Sequence, residues 1–523
     1  MPSMKIAVEG CCHGELPKIY SEIQHLERQN NYKVDLLLVC GDFQAIRNER
    51  DLQCLAVPDK YRKLGEFYKY YTGEEAAPVL TIVIGGNHEA SNFFWELYHG
   101  GWLASNIYFL GHAGCVQVNG VRIAGASGIF KGFDFKQGHW EKLPYDRSSM
   151  RSIYHIREFN VRRLSLLSTP SIFLSHDWPA SIEHYGNLPS LLRMKKFLRQ
   201  DIDSGKLGSP PMWGLLTTLK PDWWFAAHLH VRYEAAVRHG PQGGEDGGGE
   251  EVEGVEEGAK EIVKEVNPDE IVIDDDEDFA DPPVAPTPSS AQPSKPAEPV
   301  PAAQPPQDHP PINPDEITID EEEEEVIRPP PPPVAPERPQ EPKVTKFLAL
   351  DKCLPNRHFL EVIDIPISTE YASSSPQSSQ SPKFTFDPEW LAITRAFHPW
   401  LSTGKTQPPF PDEKSAREMV REEMEWVRTH VYGIKGQWDG EGGGKAGSSD
   451  DMHEDKGKGK QLDTSFVGLE KLLKEITDCQ VFSATAPPPD PQSPEKGQQP
   501  PFYPNPQTEA FCSMLGIQNK IVR

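Results

Sequence analysis

No run of about 18 apolar residues occurs in the 523-residue chain, so no helix is expected to span a membrane. The opening residues, Met1 to Glu9, read as a first strand and lack the long apolar stretch of a secretory leader. Eight cysteines at irregular spacing do not make a disulfide framework, and a reducing compartment, cytosol or nucleus, is expected. Hydrophobic residues reach only 37%, while 52 Pro and 41 Gly exceed the usual share. The chain therefore mixes folded and unfolded stretches. Positive charge is also short, 53 Lys and Arg against 78 Asp and Glu, a net of −25. Spread evenly, that balance would exclude a nucleic-acid partner, because phosphate neutralisation needs clustered basic residues.

The charge is not spread evenly. Residues 240–343 hold 29 acidic against 6 basic residues, whereas residues 1–239 hold 24 against 27 and are net +3. The acidic segment opens on a Gly/Glu-rich run and carries 21 Pro between Asp281 and Pro342. Too little apolar surface is available to offset the chain entropy lost on folding, so 240–343 is expected to be a disordered insert. Within it Asn267 to Asp274 (NPDEIVID) recurs as Asn313 to Asp320 (NPDEITID), each copy running into an acid tract. Short β-branched stretches followed by acids suit strand addition to a partner's sheet edge beside a basic rim. The segments 271–278 and 317–325 resemble SUMO-interacting motifs, and SUMO or another protein partner is expected there; duplicated low-complexity units without a partner are the alternative.

The remaining chain alternates short apolar runs with helical stretches. Lys5 to Val8, Val34 to Val39, Val79 to Ile84, Val121 to Ala124, Ile172 to Leu174 and Trp223 to Ala227 are uninterrupted enough to be strands buried on both faces. Leu16 to Gln29 reads as a helix between the first two. Thr345 to Asp351 and Phe359 to Asp364 predict two strands, within 344–366, that rejoin the sheet left by Val231 to Val237. A linker follows at 367–383. The region 384–523 is expected to be small and mostly helical, with Pro388 in a first helical turn and a helix from Asp412 to Val431, interrupted by disordered breaks at 436–464 and 486–506.

Chemistry sits at the strand ends. In order come Cys11-Cys12-His13, Gly41-Asp42, Gly86-Asn87-His88-Glu89, Ser175-His176-Asp177 and His228-Leu229-His230. One such residue alone is ordinarily a solvated or capping side chain, but strand ends on one edge of a sheet converge, so five groups in register would meet in one cleft. Asp42 has two oxygens with which to bridge, Asn87 offers a neutral amide oxygen, and the imidazoles suit Zn, Fe or Mn. Two divalent metal ions about 3.5–4 Å apart clamp the attacking and leaving oxygens of a phosphoryl displacement.

This series resembles the calcineurin-like metallophosphoesterase superfamily, with two departures. Cys11 stands where most members have Asp, and Gly41-Asp42 is followed by Phe43-Gln44 in place of the Asp-Arg of Ser/Thr phosphatases. Together with Gly85 to Asn92 (GGNHEASN), Ser127 to Gly132 (SGIFKG) and Thr345 to Pro355 (TKFLALDKCLP), they resemble the RNA lariat debranching enzyme family over 1–238 and 344–366, and more weakly over 384–432 and 506–517.

The resemblance implies an α/β fold, a layered α-β-β-α metallophosphoesterase sandwich over 1–239, and hydrolysis of the 2′-5′ phosphodiester at the branch point of excised intron lariat RNA in the nucleus. By position it implies one metal site of Cys11, His13, Asp42 and His230 and another of Asp42, Asn87, His176 and His228. A one-residue slip would substitute Cys12; the family spacing of ligand-x-His favours Cys11. A thiolate shifts preference toward Fe(II) or Zn over Mg. His88 is the expected proton donor to the departing 2′ oxygen, or else orients Asp42. Residues 127–157 correspond to the family's lariat recognition loop. They place basic side chains among aromatics, as single-stranded RNA binding requires, with Lys131, His139 and Tyr145 as the expected contacts. The rival readings are a phosphatase or nucleotide phosphodiesterase of the same superfamily, or a scaffold acting through the acidic insert.

Overall fold

The computed structural model describes residues 2–240, 342–368, 382–434 and 474–522, which belong to one compact unit. The expected SUMO segments, the Gly/Lys/Asp run 436–464 and nearly all of the acidic insert lie outside the described residues. No helix among the described residues is long and apolar enough to cross a membrane.

Thirteen strands are described: β1 (Ser3–Glu9), β2 (Leu36–Val39), β3 (Leu80–Val83), β4 (Gly101–Ala104), β5 (Ile107–Phe109), β6 (Ala113–Val118), β7 (Val121–Ala126), β8 (Ile172–Ser175), β9 (Trp223–Ala226), β10 (Tyr233–Arg238), β11 (Val344–Ala349), β12 (Leu360–Pro366) and β13 (Phe384–Phe386). They form two sheets, ordered β12-β1-β2-β3-β5-β4 and β10-β11-β9-β8-β7-β6-β13. Alternation along a strand sends successive side chains to opposite faces. In the first sheet Ile6, Val8, Leu36, Leu38 and Ile82 share one apolar cluster with Ile123, Phe173 and Phe225 of the second. The intervening Ala7, Leu37, Val39 and Val83 pack instead with Leu16, Ile19, Tyr20 and Ile23. Those four follow the i, i+3, i+4, i+7 spacing of one face of the helix Leu16–Asn30. Two sheets face to face with helices outside is the layered α/β arrangement expected.

Two expectations change. The strands after the insert do not rejoin one sheet. β11 pairs antiparallel with β10 and parallel with β9, while β12 crosses to the other sheet and pairs antiparallel with β1 from Ser3↔Pro366 to Glu9↔Leu360. Each covers an edge that would otherwise present unpaired backbone. Residues 486–506, expected to be a disordered break, are instead an ordered strap without regular structure. Hydrogen bonds between side chains and backbone tie it down: Ala486 exchanges hydrogen bonds with the Tyr71 hydroxyl, Asn48 Nδ2 donates to Pro487 O at 2.9 Å, and the Gln499 side chain pairs with both backbone groups of Tyr145.

The C-terminal helices form where expected, Pro388–Phe397 and Glu413–His430, with Asp387 capping the first by accepting from Trp390 N. The same carboxylate accepts from Arg122 Nε at 2.7 Å, tying that helix to β7.

Candidate metal centre

The strand ends of both sheets open on one cleft. β1 stops at Glu9, and Gly10 brings the chain against the segment after β11: a Cβ there would lie 2.2 Å from Asp351 O. Cys11 N then donates to Asp351 O and Cys353 N to Cys11 O. Four of the expected ligands, His13, Asp42, His228 and His230, have φ between +46° and +65°. Left-handed backbone at side-chain-bearing residues is disfavoured and concentrates at functional sites, where surrounding structure holds it in place.

Asp42 is the hub. It is 1% exposed, and its two oxygens face different neighbours. Oδ2 lies 3.6 Å from His13 Nε2 and 3.4 Å from His88 Nδ1, whereas Oδ1 lies 3.4 Å from His176 Nε2 and accepts from His88 N at 2.9 Å. Ligand-capable atoms of Cys11, His13, Asp42 and His230 all fall within 4.8 Å of one another. On the other side, His176 Nε2 is 3.1 Å from Asn87 Oδ1 and its ring centroid 5.0 Å from that of His228. His176 Nδ1 donates to Cys40 O at 2.8 Å, which leaves Nε2 with its lone pair toward Asp42 and Asn87. His13 and His88 keep 20% and 25% of their side chains open to the cleft.

The electrostatics suit cations. Burial would raise the Asp42 carboxyl, but the imidazoles of His176, His88 and His13 outweigh it and hold the group well below the usual range. Burial, then the His176 ring, depresses His228 to about 3; burial and His13 push His230 well below its ordinary value. Both imidazoles are thus uncharged; His230 Nε2 lies 3.3 Å from His13 Nε2, and its Nδ1 is buried without a hydrogen-bond partner. Cys11 is the exception: burial, with Asp42 and Glu9 adding, pushes its thiol well up, so ionisation there requires an adjacent positive charge. A carboxylate, an amide, four imidazoles and a thiol converging in a buried cluster fit divalent metal ions and no apolar ligand.

All seven expected ligand positions and His88 thus come together. Cys12 does not join them; it packs among Leu16, Ile19 and Val39 on the helix side of the sheet. Of the expected RNA contacts, Lys131 is near enough for its charge to act on both groups, adding to the burial that depresses His228 to about 3 and opposing the burial that raises Asp177 to about 6. His139 and Tyr145 are interior residues, 2% and 5% exposed, which corrects their assignment as nucleotide contacts. His139 Nε2 meets the Tyr98 hydroxyl at 3.2 Å beside Trp95 and His112. Tyr145 is covered by the 486–506 strap.

Two further residues support the site. Glu89, within the quoted GGNHE segment but given no role there, accepts from Phe43 N at 2.8 Å, Gln44 N at 2.7 Å and Gly86 N at 2.9 Å. It staples the Asp42 loop to the Asn87 loop. Burial and then Asp42 push it up to about 7, against the pull of those three N–H groups. Asp177 accepts from Phe130 N at 3.1 Å, fixing the 127–157 segment to the His176 loop. Neither contact has a local signal beyond an acid next to a ligand.

Comparison with known proteins identifies the family. A family model described as calcineurin-like phosphoesterase matches residues 4–232, and one described as the lariat debranching enzyme C-terminal domain matches 342–520. The chain is 37% identical over 522 residues to a human (Homo sapiens) lariat debranching enzyme, covering 99% of this chain and 70% of that protein. It is 40% identical over 524 residues to one from Drosophila melanogaster, covering 99% and 78%, and 38% identical over 515 residues to one from Danio rerio, covering 98% and 66%.

Proposed function

The chain belongs to the lariat debranching enzyme family, and from that premise we propose that it hydrolyses the 2′-5′ phosphodiester at the branch point of excised intron lariats, giving linear RNA. It is a metal-dependent phosphodiesterase. The observation that carries the proposal is the convergence of six donor side chains around the buried carboxylate of Asp42. Cys11, His13, Asp42 and His230 would hold one divalent cation, and Asp42, Asn87, His176 and His228 a second. The thiol favours Fe(II) or Zn, with Mn admitted by the imidazoles, over Mg. When bound, such ions supply positive charge to the phosphoryl group and acidify the attacking water.

The protein's own groups do the remaining work. Asp42 sets the spacing between the two donor sets with its opposed oxygens. Cys40 O fixes the His176 tautomer through Nδ1. His88, partly open to the cleft with Nδ1 3.4 Å from Asp42, is placed to hold a proton at a ring nitrogen and deliver it to the departing 2′ oxygen. Lys131 meets substrate phosphate at the rim. The branched substrate implies a nuclear location, and the repeats at 271–278 and 317–325 are proposed as SUMO-binding segments, tested by pull-down after their deletion.

The decisive experiment incubates metal-loaded protein with a branched 2′-5′ RNA, a linear 3′-5′ RNA and a phosphopeptide. Selective cleavage of the branched RNA is expected, reduced about 10²–10⁴-fold in His88→Ala with bound metal retained, and abolished with metal loss in Asp42→Ala. Equal cleavage of linear RNA, or of the phosphopeptide, defeats the proposal.

A further inference from the structure

A second basic and aromatic surface lies on the excursion after β8, which is clamped to β10 on the far side of β8 from β7 and residues 127–157. The chain leaves the His176 loop at Trp178 and returns at Ser209, where Ser209 N donates to Trp178 O at 2.7 Å and Ala180 N to Ser209 O at 3.1 Å. Between those points it is clamped to the strand that follows the His228 and His230 loop. The Tyr233 hydroxyl donates to Glu183 O at 2.7 Å, Gly186 pairs with Ala235, and the rings of Trp178 and Tyr233 stack 5.3 Å apart. Tyr233 is three residues beyond His230, a span of at most about 11 Å. The excursion is therefore anchored at both ends to ligand-bearing loops.

Its inner side is conventional: Ile182, Leu191, Leu198, Ile202 and Leu207 are buried in the main core. Its outer side is not. Among the described residues six large hydrophobic side chains are exposed, and three of them, Tyr185, Met194 and Phe197 at 44%, 55% and 51%, lie in these 13 residues. They alternate with exposed Arg193, Lys196 and Arg199, and between 184 and 206 five basic residues stand against two acidic ones. The Lys195 ammonium sits 5.9 Å from the Phe197 ring centroid and the Tyr185 ring 5.1 Å from that of Trp213.

We propose that this surface binds RNA, taking a single-stranded arm of the branched substrate as it leaves the cleft. The inference rests on the debranching reading and extends it. A branched RNA has three arms meeting at one branch nucleotide, joined through its 2′, 3′ and 5′ oxygens, so the single segment 127–157 leaves arms that other surfaces near the ligand-bearing loops can hold. Exposed rings interleaved with cations are what a single strand recognises, bases on rings and phosphates on basic groups. A protein-binding patch would carry fewer lysines at its centre. The His176-Asp177 loop then lies between two RNA-facing surfaces, one joined to it through Phe130 and Asp177, the other through Trp178.

The test compares wild type with Lys196→Glu/Arg199→Glu and with Phe197→Ala on branched RNAs whose arms are about 2 or about 15 nucleotides long, spanning ordinary single-strand site sizes. Wild type is expected to favour the long-armed substrate in KM, and each variant to lose about fivefold or more of that preference. The charge reversal also lowers the slope of log affinity against log salt by about 1.4, two contacts at about 0.7 each. Lys196→Arg/Arg199→Lys should retain both properties. An unchanged KM ratio and salt slope in the charge-reversed protein overturn the proposal, including the case where the surface serves a protein. Binding of a linear 15-nucleotide RNA by fluorescence anisotropy is measured alongside. If wild type cleaves no branched RNA, the debranching reading fails, and the anisotropy difference alone decides the RNA surface.

Discussion

Replacing Glu89 by Gln tests how the site is assembled, because it keeps the side chain's size and removes one acceptor. In the native structure Oε1 accepts from Phe43 N and Gly86 N, and Oε2 from Gln44 N. A glutamine amide has one acceptor oxygen. With that oxygen toward Phe43 and Gly86, its NH₂ faces the Gln44 N–H, and a buried donor is left opposite another donor. An unsatisfied buried group costs about 1–3 kcal/mol, and the two remaining bonds, no longer to a possible charge, weaken as well. A loss of about 3 kcal/mol follows, or a fall in Tm of roughly 6 °C for a domain of this size. Function should fall further than stability. Asp42 and Gln44 both hold positive φ, +46° and +62°, in the loop that Glu89 pins. A displacement of about 1 Å at reacting groups is enough to cost about 10²-fold. Differential scanning calorimetry, metal content by elemental analysis, and kcat on a branched RNA give the three readouts. A variant that melts within 1 °C of wild type (well under the ~6 °C expected), binds its full metal complement and retains kcat would refute the role given to this carboxyl.

Two other perturbations probe the frame. Arg47 is fully buried between Asp51 and Glu96, at 2.8 and 2.9 Å, and donates to Thr485 of the strap; Arg47→Met strands two buried carboxylates at a cost of about 3–5 kcal/mol. Limited proteolysis should then cut within 484–500 in the variant and not in wild type, and equal resistance would refute the strap's dependence on Arg47. His139 is held well below its ordinary pKa by burial first, then by His112 and Arg157. The unfolded chain binds a proton there near pH 6.5 and the folded chain does not, so this group's contribution is present above that pH and is lost as the pH falls below it. His139→Gln should therefore lose less stability than wild type in urea melts taken from about pH 7.5 to pH 5.5, a window that spans the ordinary histidine pKa, and parallel losses would show that the ring is protonated in the native state.

What could be read ahead of the structure follows from where each determinant lies. Cys11, Asp42, Asn87, His176 and His228 each follow a short apolar strand, and parallel pairing of β1, β2 and β3 in one sheet and of β8 and β9 in the other puts their loops at the same end. Cys11 and Cys12 are separable by the same alternation, since neighbouring residues face opposite sides of the sheet: one meets the cleft, the other the helix Leu16–Asn30. His139 and Tyr145 misled because composition describes a segment and burial depends on what covers it. Tyr145 is covered through Gln499, 354 residues away, and His139 by Tyr98.

The strap 486–506 has the composition of an unfolded linker; what holds it is a set of donors and acceptors, Arg47, Asn48 and Tyr71, encoded more than 400 residues earlier. Likewise β12 pairs with β1, more than 350 residues earlier, in register over seven residues, although β10 also lies at the edge of its sheet. Charge behaves in the same way. The net −25 of the chain says nothing about RNA, because binding depends on local sign: 23 of those units lie in residues 240–343, whereas residues 1–239 are net +3 and Lys131 acts on the cleft residue His228. A local property of the sequence predicts a local property of the fold; where the determinant is a partner hundreds of residues away, only the three-dimensional contact decides.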